Sequence, residues 1–304
     1  MTIAVFGSIN IDITAYADRL PRPGETLHGI RYLTGLGGKG ANQAAAAARL
    51  GGQVSFIGRT GLDHFGETGR RLLSEFGVDT TCLRSDADHA TGIAIINVDG
   101  NGENFITVIA GANFAVDESD IAMAAEALRQ SRILLLQLEV PADALVLAAV
   151  RARSAGASVI LDPAPVPSSP ERLDLSCVDI VTPNEIETER LTGIYPVDAQ
   201  NLAAAADALH RRGPPVVMIK LGNKGVYLST PAGTAHFPAF QVRAVDTVAA
   251  GDCFNGGLAY ALSRGLSIHE ATRFAAACGA LSTTRFGAAA AAPTLPEVEI
   301  LLAG

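Results

Sequence analysis

Short apolar runs alternate with longer alanine-rich stretches along most of the chain. The runs Ile3–Gly7, Val54–Ile57, Ile133–Leu138, Ser158–Leu161, Ile180–Val181 and Val216–Leu221 read as strands buried on both faces. Between them, Ala41–Leu50, Phe65–Phe76, Ile121–Gln130, Ala142–Ala155, Ala199–Arg211, Phe254–Arg264 and Ile268–Leu281 have the length and composition of helices. The alternation predicts an α/β fold with a mostly parallel central sheet and helices on both faces.

Two regions break the alternation. Ile11–Leu36 contains Pro21, Pro23, Gly24 and Gly29, with short extended pieces between them. Thr91–Ile109 reads as a hairpin, Gly92–Val98 and Asn104–Ile109 joined by Asp99-Gly100-Asn101-Gly102. Together they predict a small antiparallel sheet beside the main layers, which is a lid, a dimer interface or an edge decoration. No internal repeat or linker composition divides the chain, and the run Ala288–Ala292 is brief and closed by Pro293. The expectation is one domain over 1–304, with a discontinuous β lid from about 11–36 and 91–109.

Composition narrows the partners. The 304 residues are 48% hydrophobic, enough for a sizeable core. With 23 basic and 31 acidic residues the net charge is −8, which argues against nucleic acid but leaves room for a small anionic ligand. Cys82, Cys177, Cys253 and Cys278 form no C-x-x-C pair and read as reduced thiols of a cytoplasmic protein. The start, Met1 to Gly7, lacks the basic region of a signal peptide and reads as a strand. Ile133–Leu136 is far too short to span a bilayer, so no membrane partner is expected.

The densest chemistry lies in Ala249-Ala250-Gly251-Asp252-Cys253-Phe254-Asn255-Gly256-Gly257, where a loop of small residues turns into an apolar helix. A helix N-terminus has unsatisfied N–H groups and a positive dipole end, and small side chains let a phosphate reach them. Asp252 there reads either as a helix cap or as a carboxylate that handles a proton during phosphoryl transfer.

Other polar groups follow other strands. Asn10 and Asp12 come just after the first strand at a spacing of two, so an extended chain points both the same way, as vicinal sugar hydroxyls would need. Turn formation is the alternative for that pair. Gly37-Gly38-Lys39-Gly40-Ala41-Asn42-Gln43 opens a helix, with Lys39 and Asn42 able to reach one ligand, yet it is not a Walker A motif. Glu139 ends the strand at Ile133–Leu138. Asn184 and Glu187 follow Ile180–Val181, either as first-turn helix residues or as groups positioning water on magnesium. Leu221-Gly222-Asn223-Lys224-Gly225 is a hairpin turn or a turn past which a nucleotide fits. All lie beyond the carboxyl ends of predicted parallel strands, where open α/β sheets bind ligands.

These segments resemble the PfkB family of carbohydrate kinases along essentially the whole chain. The resemblance is carried by GSINID (Gly7–Asp12), PGET (Pro23–Thr26), GGKGANQA (Gly37–Ala44), AGAN (Ala110–Asn113), QLEVP (Gln137–Pro141), TPNEIE (Thr182–Glu187) and VDTVAAGDCFNGG (Val245–Gly257). GSINID, GGKGAN, AGAN and QLE are similar to its ribose-phosphorylating members. The resemblance implies a three-layer, ribokinase-like fold and ATP-dependent phosphorylation of D-ribose at its 5-hydroxyl. It implies Asp252 as catalytic base and an anion hole from the N–H groups of Ala249, Ala250 and Gly251. It gives Asn10, Asp12, Gly38, Lys39, Asn42 and Glu139 as ribose contacts. Asn184 and Glu187 match the magnesium and phosphate motif, with Mg²⁺ held through water, and Lys220 and Gly222 sit on the nucleotide-binding turn. Asp246, Val248, Ser282, Arg285 and Gly287 match loops that hold an activating monovalent cation, usually K⁺. The two-part insert resembles a lid that closes on the sugar and makes a homodimer. Three positions depart from the pattern: Lys220 where a small hydroxyl residue is common, Cys253 for a frequent Thr, and the alanine run at Ala288–Ala292, which lacks a Ser.

Competing readings remain at this point: a kinase for another sugar or a nucleoside, or a sugar sensor without activity. A nicotinamide dehydrogenase fits poorly, because Gly7-Ser8-Ile9-Asn10 is not G-x-G-x-x-G.

Overall fold

The structure, a computed structural model, describes residues 2–304; Met1, read above with the first strand, lies outside them. Among the described residues the strands are β1 (Thr2–Phe6), β2 (Asn10–Tyr16), β3 (Arg31–Gly37), β4 (Gln53–Gly61), β5 (Leu83–Asp86), β6 (Gly92–Val98), β7 (Asn104–Ile109), β8 (Ser131–Gln137), β9 (Ser158–Asp162), β10 (Ile180–Val181), β11 (Val216–Lys220), β12 (Val226–Thr230) and β13 (Gly233–Phe237). The helices are α1 (Lys39–Arg49), α2 (His64–Glu75), α3 (Glu118–Met123), α4 (Ala125–Gln130), α5 (Ala142–Ser154), α6 (Glu185–Thr192), α7 (Ala199–His210), α8 (Ala250–Ser263), α9 (Ile268–Ser282) and α10 (Leu295–Ala303).

The main sheet runs β13-β12-β11-β10-β9-β8-β1-β4-β5, parallel from β5 to β11 and antiparallel through β12 and β13. Side-chain alternation along each strand builds two cores. Ile3 and Val5 of β1, Ile133 and Leu135 of β8, and Met218 of β11 pack with α1, α2, α8, α9 and α10. Ala4, Phe6, Leu134, Leu136, Val217 and Ile219 face the other way, onto α3, α4, α5 and α7. That is the expected three-layer arrangement, and it explains why these strands read as continuous apolar runs.

The strand order reverses around β1, which has β4 on one side and β8 on the other. A crevice opens at such a reversal, beyond the carboxyl ends of the strands. The second sheet, β3-β2-β6-β7, rises from that edge. Two of its pairings are antiparallel as expected; the central β2–β6 pair is parallel.

Some local expectations need correction. The single helix expected over Ile121–Gln130 is broken at Ala124 (φ −85°, ψ 8°) into α3 and α4. An Asp117–Asp120 capping box starts the first piece early, and the break lets Ile121, Ala124 and Leu128 share one core. The hairpin β12–β13 and the helix α10 were not expected at all.

Candidate active site

The turn into α8 is the centre of the site. Ala249 lies at φ 57°, ψ 15°, the sole non-glycine residue at positive φ among the described residues. That conformation costs an L-residue about 1 kcal/mol or more. Here it bends the chain directly into α8, and no side chain caps this helix. By contrast α2, α6, α7 and α9 are capped by Asp63, Asn184, Asp198 and Ser267. Of the first-turn N–H groups of α8, that of Ala250 makes a long bond to Thr247 O at 3.3 Å, and neither it nor that of Gly251 has a capping oxygen from a side chain.

Asp252 sits in that first turn, and the structure removes its reading as a cap. Its buried carboxylate points away from the α8 backbone and onto α1. Oδ2 accepts from Asn42 Nδ2 at 3.0 Å, and Oδ1 accepts from Gln43 Nε2 at 3.1 Å. Burial pushes the Asp252 carboxyl up to about 6; the Lys39 ammonium and the two amide donors pull it down, and the nearby Asp162 carboxylate pushes it up. A carboxylate so placed is a competent base near neutral pH.

α1 enters the crevice because three glycines allow it. Gly38 (φ 86°) precedes the helix, and a Cβ there would stand 2.9 Å from Asn10 N and Ser8 O. A Cβ on Gly40 would stand 2.8 Å from Ser8 N, and one on Gly37 would overlap the Asp12 carboxylate at 1.9 Å. Close backbone approach requires glycine at Gly38 and Gly40, and at Gly37 a Cβ would displace the Asp12 side chain. Glu139, just past β8, accepts from Lys39 N at 3.0 Å and from Ser8 Oγ, so it satisfies the start of α1. Lys39 is held firmly protonated: burial opposes its charge, but the carboxylates of Asp252, Asp162, Glu139 and Glu187 outweigh that.

The chain is extended through Asn10 and Asp12, both in β2, so they share a face. Asn113 holds Asn10 in place, donating from Nδ2 to Asn10 Oδ1 at 2.8 Å. Burial raises the Asp12 carboxyl to about 7, and the charges of Glu139 and Asp252 add to it. Asn42 Oδ1 is a buried acceptor that no protein group satisfies.

Asn184 caps α6 and forms a reciprocal box with Glu187. Glu187 N donates to Asn184 Oδ1 at 2.8 Å, and Asn184 N donates to Glu187 Oε2 at 2.7 Å. Glu187 is raised by burial, against the pull of Lys220. Lys220 ends β11 and donates from Nζ to Asp162 Oδ1 at 2.9 Å. Gly222 (φ 56°) opens the β11–β12 hairpin turn, with no atom within 4 Å of where its Cβ would stand. The turn is thus a hairpin that leaves space beside it.

Asp246 links two loops: it accepts from Val248 N at 3.0 Å and from Gly287 N at 3.1 Å. Ser282 turns its hydroxyl back to Gly279 O, and Arg285 pairs with Glu297 of α10. Among the described residues, no group of three or more His, Cys, Asp or Glu side chains is arranged to hold a metal ion. Cys253, beside the central Asp, is buried and its thiol is pushed up to about 12, so it packs as a core residue.

The sequence reading gave no role to Gln43, Gln137 or Asp162. Gln43 Nε2 also donates to Asp162 Oδ2 at 3.0 Å, and Gln137 donates to Gln43 Oε1 at 2.7 Å. The signals were present. Gln43 lies inside the glycine motif, and Asp162 closes an apolar strand as Glu139 does.

Known proteins resemble this chain in sequence and fold. Residues 2–295 fit the pattern of the pfkB family carbohydrate kinases. The ribokinase of Haemophilus influenzae is 43% identical over 97% of this chain and 96% of its own. The deoxyribokinase of Salmonella typhi is 36% identical over 98% of this chain and 97% of its own. The structure of the Arabidopsis thaliana ribokinase, complexed with ribose and ATP, superposes with a TM-score of 0.89 at 34% identity, covering 99% of this chain and 98% of that one. The chain belongs to the PfkB family of carbohydrate kinases.

Proposed function

We propose that this protein transfers the γ-phosphoryl group of ATP to the 5-hydroxyl of D-ribose, giving D-ribose 5-phosphate and ADP. One observation carries the reading: the buried Asp252 carboxylate lies between sugar-type donors and acceptors on β2 and α1 and the uncapped start of α8.

Ribose sits against Asn10, Asp12, Gly38, Lys39, Asn42 and Glu139. A sugar hydroxyl donating to Asn42 Oδ1 satisfies that orphaned acceptor. Asp252 takes the proton from O5 as O5 bonds to phosphorus, and the bond to the bridging oxygen of ADP breaks. The N–H groups of Ala249, Ala250 and Gly251 face the charge on the transferring group. The nucleotide extends past Lys220 and Gly222. Asn184 and Glu187 would hold Mg²⁺ through water, as suits an ion that keeps its waters and leans on the substrate's phosphates. Bound there, Mg²⁺ would neutralise phosphate charge. A monovalent cation, K⁺, belongs between the loops that Asp246 ties, near Val248, Ser282, Arg285 and Gly287.

The lid favours a homodimer. Tyr32 and Phe105 are 73% and 70% exposed, and Leu33, Ile106 and Val108 are also exposed. By register, Leu33, Ile106 and Val108 share the face of the lid sheet that carries Asp12. An apolar face of that kind is suited to a second copy closing over the sugar. The four free cysteines fit a reducing cytoplasm.

The test is ADP release over a panel of pentoses, hexoses and nucleosides, with and without K⁺. Ribose should give the highest kcat/KM. A higher value for 2-deoxyribose would favour the activity named for the Salmonella typhi relative. Ribose binding without sugar-dependent ADP release would leave a sensor.

A further inference from the structure

Lys220 ends β11 and turns its ammonium toward the start of α8. Its Nζ lies 3.3 Å from where a Cβ on Gly251 would stand, so the charge hangs over the first turn of that helix. Asp162 anchors it at 2.9 Å, and the two side chains are only 14% and 2% exposed. Burying two charges costs several kcal/mol of solvation, and their attraction seldom returns a surplus over a well-packed apolar pair. Stability is therefore a poor reason for this pair. Its location is a better one: the cation stands where the anion hole opens.

We propose that Lys220 is a catalytic residue whose ammonium contacts the oxygens of the γ-phosphoryl group at the start of α8, with Asp162 as the positioning residue that holds it there. The proposal rests on the anion hole at Ala249–Gly251. In phosphoryl transfer there is little covalent work for the protein, and fixed positive charge near the moving phosphoryl oxygens lowers the barrier. Lys220 is fixed on both sides. Its backbone N–H donates to Pro183 O at 2.8 Å, which joins it to the Asn184 turn, and its ammonium is held by Asp162. Asp162 in turn accepts from Gln43 Nε2, the same nitrogen that donates to Asp252. The base and, through Asp162, the cation are thus tied to one amide nitrogen, Gln43 Nε2. No bond is made or broken at Lys220; it exchanges part of its contact with Asp162 for contact with phosphate when ATP enters.

The test compares Lys220→Gln, which can still hydrogen-bond Asp162, with Lys220→Met/Asp162→Asn, which leaves no buried charge unpaired. Both are measured for kcat, for KM of ribose and ATP, and for ADP affinity by calorimetry, beside Asp252→Asn. ADP lacks the transferred group. The expected result is therefore a kcat lower by about 100-fold or more in both Lys220 variants, with ADP affinity within about threefold of the parent. Near-parental kcat in the double variant, with Asp252→Asn inactive, would overturn the proposal: Lys220 would then only neutralise Asp162. Equal losses in kcat and ADP affinity would also overturn it, making Lys220 a general nucleotide contact. Near-parental turnover in Asp252→Asn would instead sink the underlying placement of the base.

Discussion

Asn42 Nδ2 donates to Asp252 Oδ2 at 3.0 Å, joining the first turns of α1 and α8 across 210 residues of chain. The glycine motif and the small-residue motif, far apart in sequence, meet in that bond. In the proposed reaction, helix α1 brings the sugar side of the site to the base, and α8 brings the phosphate side.

The bond also sets what Asp252→Asn should do. An asparagine can keep one oxygen toward Asn42, so the crevice stays formed while the proton acceptor is lost. We expect ribose affinity within a few-fold of the parent and kcat lower by about 10²–10⁴. Steady-state ADP release and ribose calorimetry check the two halves separately. Near-parental kcat would rule out general-base catalysis by Asp252.

The pH profile follows from burial. Asp252 acts only as the carboxylate, and its carboxyl is raised to about 6, so kcat/KM should fall as pH drops through that value. Stability runs the other way. The folded state holds this proton more tightly than the unfolded chain, with its ordinary value of 3.8, so Asp252 costs stability as pH rises from about 4 to 6. Asp252→Asn should therefore raise the melting temperature at pH 8 more than at pH 4. An equal effect at both pH values would contradict the buried charge.

Asp12 adds a second titration. Its carboxyl is raised to about 7 by burial, then by Glu139, then by Asp252. If the carboxylate accepts ribose hydroxyls, ribose affinity should weaken as pH falls through about 7. Removing the Asp252 charge should move that midpoint down, because one of its causes is gone. Calorimetry of ribose binding from pH 5 to 9, in parent and Asp252→Asn, reads both effects. An unmoved midpoint would show that the two carboxylates do not sense one another.

The parallel core was legible because strands buried on both faces leave a plain signal: Ile133–Leu138 and Val216–Leu221 are apolar without interruption. The β12–β13 hairpin left no such signal, since Gly233, Thr234 and His236 face water at the sheet edge. Helix α10 could have been found from Thr294 and Glu297, a capping box three residues apart, but Pro296 hid it. In the site, the polar strand ends were visible one by one. Gln43 was marked only by its place in the glycine motif; its role was not legible, because a glutamine in an alanine-rich helix looks like any surface residue until the fold turns it inward against two carboxylates.

Two glycines test how tightly the sugar side is set. A Cβ on Gly37 would stand 1.9 Å from Asp12 Oδ1, and one on Gly92 would stand 2.2 Å from Asn10 Oδ1 and 2.3 Å from Asn113 Nδ2. Gly37→Ala and Gly92→Ala must each push a proposed sugar contact aside. A displacement of about 1 Å at such a contact is worth roughly 100-fold in kcat/KM for ribose. ADP affinity should stay close to parental, since the α8 end is untouched. Parental kcat/KM in both variants would remove Asn10 and Asp12 from the ribose site.

Asp246 makes the last prediction. It accepts from Val248 N and Gly287 N, so it holds the loop before α8 against the loop after α9. If a monovalent cation sits between those loops, it acts on the anion hole through the short link from Val248 to Ala249, and not on ribose. Replacing K⁺ by a bulky organic cation should then lower kcat and leave ribose affinity unchanged. Asp246→Ala should lower kcat to a similar degree and abolish the response to K⁺. A parent enzyme indifferent to K⁺ would mean that hydrogen bonds to Asp246 alone shape the anion-hole loop. In that case Asp246→Ala would still lower kcat, at every cation composition alike.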